Sequence, residues 1–236
     1  MDPRDTEVWE PEPTVVTPGA DSAPPSDAIV LFDGSEVSAW RHLDGRAVEW
    51  RIESGAVIVV AGTGDIETTR AFADVQLHIE WRAPQQVTGG GQSRGNSGVF
   101  LQKRYEIQVL DSYENRTYAN GQAGSVYKQY APLVNASRRP GEWQSYDIVF
   151  AAPRFSASGK LETSAFVTLF HNGVLVQNHV GLLGATRYRG TPEYQAHPAH
   201  EPLMLQDHGD PVSFRNIWLR ELGGAGSRDI STRKKA

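Results

Sequence analysis

The octapeptide Val75-Gln76-Leu77-His78-Ile79-Glu80-Trp81-Arg82 alternates apolar and polar residues without a break. That period places Val75, Leu77, Ile79 and Trp81 on one face of a β-strand and Gln76, His78, Glu80 and Arg82 on the other. Further strand-like runs lie at 29–32, 48–52, 56–60, 98–102, 105–111, 145–150, 165–170, 174–177, 202–207 and 214–222. No helical period persists for more than about two turns. Glu53-Ser54-Gly55 and His171-Asn172-Gly173 separate consecutive runs and carry hairpin chemistry. A chain built this way folds as an all-β protein, and the expected architecture is a two-sheet antiparallel sandwich.

The 236 residues leave room for one large all-β domain or two small domains. Residues 1–28 hold six prolines and no periodicity, so they are expected to form an extended arm. The domain is expected over residues 29–222 and a flexible tail over 223–236. A net charge of −5 argues against a nucleic-acid surface. The absence of cysteine excludes disulfides, thiolate metal sites and a cysteine nucleophile. No apolar run approaches the ~20 residues of a membrane helix, and the polar start lacks the pattern of a signal peptide. The oligomeric state is not legible.

Three polar clusters interrupt the strand-like runs. The first is Asn96-Ser97-Gly98. In the second, Tyr105-Glu106-Ile107-Gln108-Val109-Leu110-Asp111, Ile107 and Val109 share one face, and Glu106 and Gln108 share the other. Asp111 has the wrong parity to join them unless a β-bulge intervenes. The third is Leu205-Gln206-Asp207-His208-Gly209, followed by Phe214-Arg215-Asn216-Ile217. Brought together, these groups would make a sugar cleft: amides and carboxylates for hydroxyls, and Arg215 for a carbonyl or oxyanion. Each also has a plainer role available, as a wet strand face, a turn cap or an ion pair. His197 and His200 do not match a zinc-binding helix, since Pro198 lies between them.

These motifs occur in a fixed order, together with Leu31-Phe32-Asp33-Gly34, Trp40, Pro140-Gly141-Glu142-Trp143 and His171-Asn172-Gly173-Val174. The set resembles the 3-keto-disaccharide hydrolase domain family over about residues 29–222. The resemblance implies a concanavalin A-like jelly roll, related in fold to retaining β-glucanases, and a bacterial, commonly exported protein. It implies cleavage of glycosides oxidised at C3. Gln108 stands between the acids where the glucanases place a further carboxylate, which disfavours double displacement by paired carboxylates. A C3 ketone offers elimination across C1–C2 followed by hydration. On that route Glu106, Asp111 and His208 are the catalytic candidates. His208 or Glu106 would be the base. Arg215 or a divalent cation such as calcium would stand at the C3 oxygen, and Asp111 would be the acid or a metal ligand. Asn96, Gln108, Gln206, Asp207 and Arg215 would bind substrate, with Asp207 orienting His208. A non-catalytic carbohydrate-binding module, or an accessory subunit of a sugar-processing complex, is the alternative.

Overall fold

The computed structural model describes residues 2–10 and 12–223. Among these described residues there are fifteen strands. In chain order these begin with β1 (Ile29–Phe32), β2 (Trp40–His42), β3 (Arg51–Glu53), β4 (Ala56–Ile58) and β5 (Ile66–Thr68). Then come β6 (Val75–Arg82), β7 (Ser97–Leu101), β8 (Tyr105–Val109), β9 (Gln144–Ala151) and β10 (Arg154–Phe155). The last are β11 (Leu161–Thr163), β12 (Phe166–His171), β13 (Val174–Gly181), β14 (Met204–Leu205) and β15 (Ser213–Glu221). The only helical turns among the described residues are short 3₁₀ segments at Pro3–Thr6 and Ala119–Gly121. No described helix is long and apolar enough to cross a membrane.

Every strand pair is antiparallel. The large sheet runs β13-β12-β9-β6-β15-β4-β3, with β1 also on β15. The small sheet runs β2-β5-β14-β7-β8. The chain is thus an antiparallel two-sheet β-sandwich, as expected. Leu77, Ile79, Trp81, Tyr146, Ile148 and Phe150 from the large sheet share one core with Ile66, Val99, Leu101, Tyr105, Ile107 and Val109 from the small one. Each of these twelve side chains is at most 1% exposed, so a Phe or Trp truncated to Ala there would cost about 3–5 kcal/mol. Tyr146 donates across the sandwich to the Gln108 carbonyl at 2.7 Å, which ties β8 to the opposite sheet.

The alternation of β6 is realised as expected: Val75, Leu77, Ile79 and Trp81 are buried. Both two-residue hairpin loops adopt left-handed backbone, with φ of 51° and 73° at Ser54-Gly55 and 52° and 78° at Asn172-Gly173. The run 202–207 shortens to the two-residue β14. Four strands, β2, β5 and the paired β10 and β11, had no sequence signal, because two or three residues are too few to display a period. Residues 17–28 of the arm lie over the outer face of the large sheet. The Ser22 carbonyl accepts from Trp218 Nε1 and Asn216 Nδ2, both at 3.0 Å, and Asp27 pairs with Arg220 at 2.7 Å. Apart from Gly223, the tail expected at 223–236 lies outside the described residues.

Candidate functional site

Strand β8 is an edge strand of the small sheet, and its outer face floors a cleft of about 270 Å³. Asn96, Phe100, Glu106, Gln108, Tyr127, Thr186, Tyr188, Gln206 and His208 line it. The open edge of β8 is covered rather than left bare. Gln108 donates its backbone N–H to Ser125, Gly124 donates to the Gln108 carbonyl, and Tyr127 donates to the Glu106 carbonyl. That covering explains why Glu106 and Gln108 are 5% and 1% exposed on the face a bare edge strand would leave wet.

Glu106 is held on its backbone alone. Its N–H donates to Thr186 Oγ1 at 3.0 Å, and its carboxyl meets no hydrogen-bond or ion-pair partner among the described residues. Burial pushes that carboxyl up to about 8, so it is mostly protonated at neutral pH. Gly98, which faces Gln108 from β7, makes the room: a Cβ there would fall 2.7 Å from the Phe100 ring and 3.1 Å from Glu106 Oε1. Beyond Glu106 on the same face is a chain of amides. Gln108 Nε2 donates to Asn96 Oδ1 at 3.0 Å, and Asn96 Nδ2 donates to the Gln92 carbonyl at 2.7 Å. The side-chain carbonyl oxygens of Gln108 and Gln206, two residues of the cleft lining, are buried and meet no donor among the described residues.

The turn after β14 presents His208. Gln206 is pinned through its N–H to Gly98 and through its carbonyl to Ser97 Oγ. The Asp207 carboxylate accepts from the N–H groups of Gly62, Gly64 and Gly209 at 2.8–3.0 Å. Asp207 therefore shapes the turn and does not hold the imidazole. Asp65 accepts from the Asp207 N–H, and burial raises its carboxyl against that bond. The His208 ring is exposed and makes no hydrogen bond to the described residues.

Five expected residues thus meet in one cleft: Glu106, His208, Asn96, Gln108 and Gln206. Asp207 stands behind them. Two others do not join. Pairing of β7 with β8 is regular from Ser97–Val109 to Leu101–Tyr105, with no bulge to turn Asp111 around. Asp111 lies past the strand end, is 2% exposed, and pairs with Arg94 at 2.7 Å. Arg215 sits on β15 of the large sheet, paired with Glu80 at 2.6 Å and lying 4.1 Å from the Trp143 ring centroid. With Phe214 pointing into the core, parity sends Arg215 to the outer face of the large sheet. Sequence reasoning missed Tyr127, Thr186 and Tyr188, which come from loops. Among the described residues no group of three or more His, Asp or Glu side chains could hold a metal ion. Beside amide oxygens the cleft lining offers only one carboxyl, Glu106, which burial keeps mostly protonated, and one imidazole, His208, a set too poor in negative charge to fit the cation expected at the C3 oxygen.

A buried acid, an open imidazole and amides on the outer face of a small sheet define a glycosyl hydrolase-like sandwich protein. The chain belongs to the family of 3-keto-alpha-glucoside-1,2-lyase-like domains, whose model matches residues 27–220. A 3-keto-disaccharide hydrolase of Bacteroides thetaiotaomicron is 27% identical over 241 residues, covering 82% of this chain and 78% of that protein. A crystal structure from Parabacteroides distasonis, of a protein assigned as a glycosyl hydrolase, superposes with a TM-score of 0.90. It is 52% identical and the match covers 93% of this chain and 96% of that one. A second structure from the same organism, at 20% identity and a TM-score of 0.61, shares the fold over 83% of this chain and 94% of its own.

Proposed function

We propose that this protein cleaves 3-keto-glycosides by elimination across C1–C2, followed by addition of water. One observation carries the reading: a partnerless, protonated Glu106 and an open His208 face the same amide-lined cleft. Oxidation at C3 acidifies the C2 proton, so the reaction needs a base, a donor to the enolate oxygen and an acid for the leaving oxygen. His208 takes the C2 proton, and the C–H electrons move into an enolate. The Gln206 side-chain N–H groups, which no protein acceptor occupies, donate to the C3 oxygen. The enolate collapses to C3=O with a C1–C2 double bond, the C1–O bond breaks, and Glu106 protonates the departing oxygen. The Glu106 carboxylate then takes a proton from water as the hydroxyl adds at C1, and His208 returns its proton to C2, so both residues regain their starting states. Gln108, with Asn96 holding its amide in place, accepts from ring hydroxyls.

The family name and the named hydrolase relatives support this chemistry. The resemblance to commonly exported proteins supports a place outside the cytoplasm, which fractionation of the native host would test. The decisive assay incubates the protein with 3-keto-trehalose, 3-keto-glucosides and the unoxidised sugars, with and without chelator. Release of 3-keto-glucose from the oxidised substrates alone is expected. Cleavage of unoxidised glycosides refutes elimination, and binding without turnover makes the protein a carbohydrate-binding module. Loss of activity with chelator would restore a cation to the mechanism.

A further inference from the structure

The two ends of the cleft differ in chemistry. The amides of Asn96, Gln108 and Gln206 lie at one end, and Tyr127 and Tyr188 stand at the other, beside Glu106. We propose that the aromatic end is the leaving-group subsite and that it takes a flat aromatic aglycone, a phenol linked through its oxygen to C1. This deepens the reading above and rests on it.

The argument is one of unmet and met polar groups. A second pyranose ring brings a fringe of hydroxyls that need partners. The amide end supplies buried acceptors with no donor. The aromatic end supplies no buried acceptor of that kind among the described residues. The hydroxyls of Tyr118 and Tyr127 bond each other at 2.7 Å, and Thr186 Oγ1 is taken by the Glu106 N–H. What remains is ring surface: Tyr188 is 69% exposed and Tyr118 40%. Exposed rings at the mouth of a cleft suit stacking by another ring.

The same end carries positive charge. Lys128 Nζ lies 4.2 Å from the Tyr188 ring centroid and donates to the Tyr188 carbonyl, and the Arg189 guanidinium is 5.9 Å from that ring. Neither cation forms an ion pair with a carboxylate among the described residues. Two cations against the Tyr188 ring, which lines this end, favour an electron-rich aglycone ring and the negative charge that gathers on a phenolic oxygen as the C1–O bond breaks. Turn geometry fixes the arrangement. Gln129 and Tyr130 both donate to the Val126 carbonyl, and Lys128 takes a left-handed φ of 57° at the apex.

The test compares 4-methoxyphenyl 3-keto-glucosides of both anomers with 3-keto-trehalose, on the intact chain and on Tyr188→Ala and Lys128→Met. Tyr188 is exposed, so its truncation spares the fold. The ratio of kcat/KM for aryl substrate to disaccharide should fall three- to tenfold in Tyr188→Ala, the size of a lost stacking contact. It should fall in Lys128→Met as well. A smaller fall in Tyr188→Ala, or a rise, overturns the subsite. If the unaltered protein turns over neither substrate, the elimination reading fails, and calorimetric binding of the aryl 3-keto-glucoside decides the subsite. Binding weakened at least threefold in Tyr188→Ala supports it, and equal binding or none overturns it.

Discussion

Glu106 combines two properties that its sequence position only half announced. Its parity with Gln108 was readable, because strand alternation assigns faces without knowledge of the fold. Its burial was not, because the loops that cover it lie far along the chain. That burial sets a pH dependence with a definite sign. The folded protein binds the Glu106 proton more tightly than the unfolded chain does. The resulting stability is full below about 4.5 and is lost as pH rises through about 8. The loss is at most roughly 5 kcal/mol. Glu106→Gln should therefore unfold later than the parent at pH 9 by thermal melt, and the gap should close at pH 4. Its turnover should drop by about 10²–10⁴, the worth of a general acid. In the parent, activity should decline on the alkaline side through about 8, as the acid loses its proton. Asp111 makes the contrasting case. Its motif position suggested catalysis, but its pair with Arg94 is a buried structural link. Asp111→Asn should cost about 3 kcal/mol in urea titration, by leaving Arg94 unpaired, while kcat of the folded fraction stays within a few-fold of the parent.

At the scale of elements, the cleft depends on two strands lying close with almost no side chain between them. Gly98 faces Gln108 across β7–β8 and opens space for the Glu106 carboxyl. A methyl group at that position would press on the Phe100 ring and crowd Glu106. Gly98→Ala should destabilise the protein by about 1–3 kcal/mol and lower kcat/KM about tenfold, with kcat carrying most of the loss because the acid is displaced. Steady-state kinetics beside a denaturant titration would separate the two effects. The long strands β6, β9 and β15 were legible because eight or nine residues display a period and bury one face. Three-residue β2 and β5 were not, and neither was the aromatic wall. Tyr127 and Tyr188 lie sixty-one positions apart in loops, and nothing local marks them as neighbours.

Across the whole molecule, stability and chemistry sit on opposite sheets. The cleft uses the outer face of the small sheet; the arm covers the outer face of the large one. Residues 2–10 and 12–16 are almost entirely exposed, so they contribute little to folding. Residues 17–28 are different. Ser22 caps the Trp218 indole and the Asn216 amide, and Asp27 makes three hydrogen bonds to Arg220. Trp218, 6% exposed, also stacks on His78, which is 2% exposed and bonded to Asp147 at 2.6 Å. Removing the strap would wet this polar and aromatic layer. Deletion of residues 1–16 should leave the thermal midpoint within about 2 °C, since it removes little buried surface. Deletion of residues 1–28 should cost about 2–4 kcal/mol, from the lost hydrogen bonds at roughly 1 kcal/mol each and the uncovered Trp218 surface. In both deletions, activity per folded molecule at 25 °C should match the parent, because none of the described arm residues lines the cleft. A loss of kcat in the longer deletion, with the protein still folded by circular dichroism, would mean that the large sheet sets the geometry of the small one. The Tyr146 bond to the Gln108 carbonyl is the connection through which that coupling would pass.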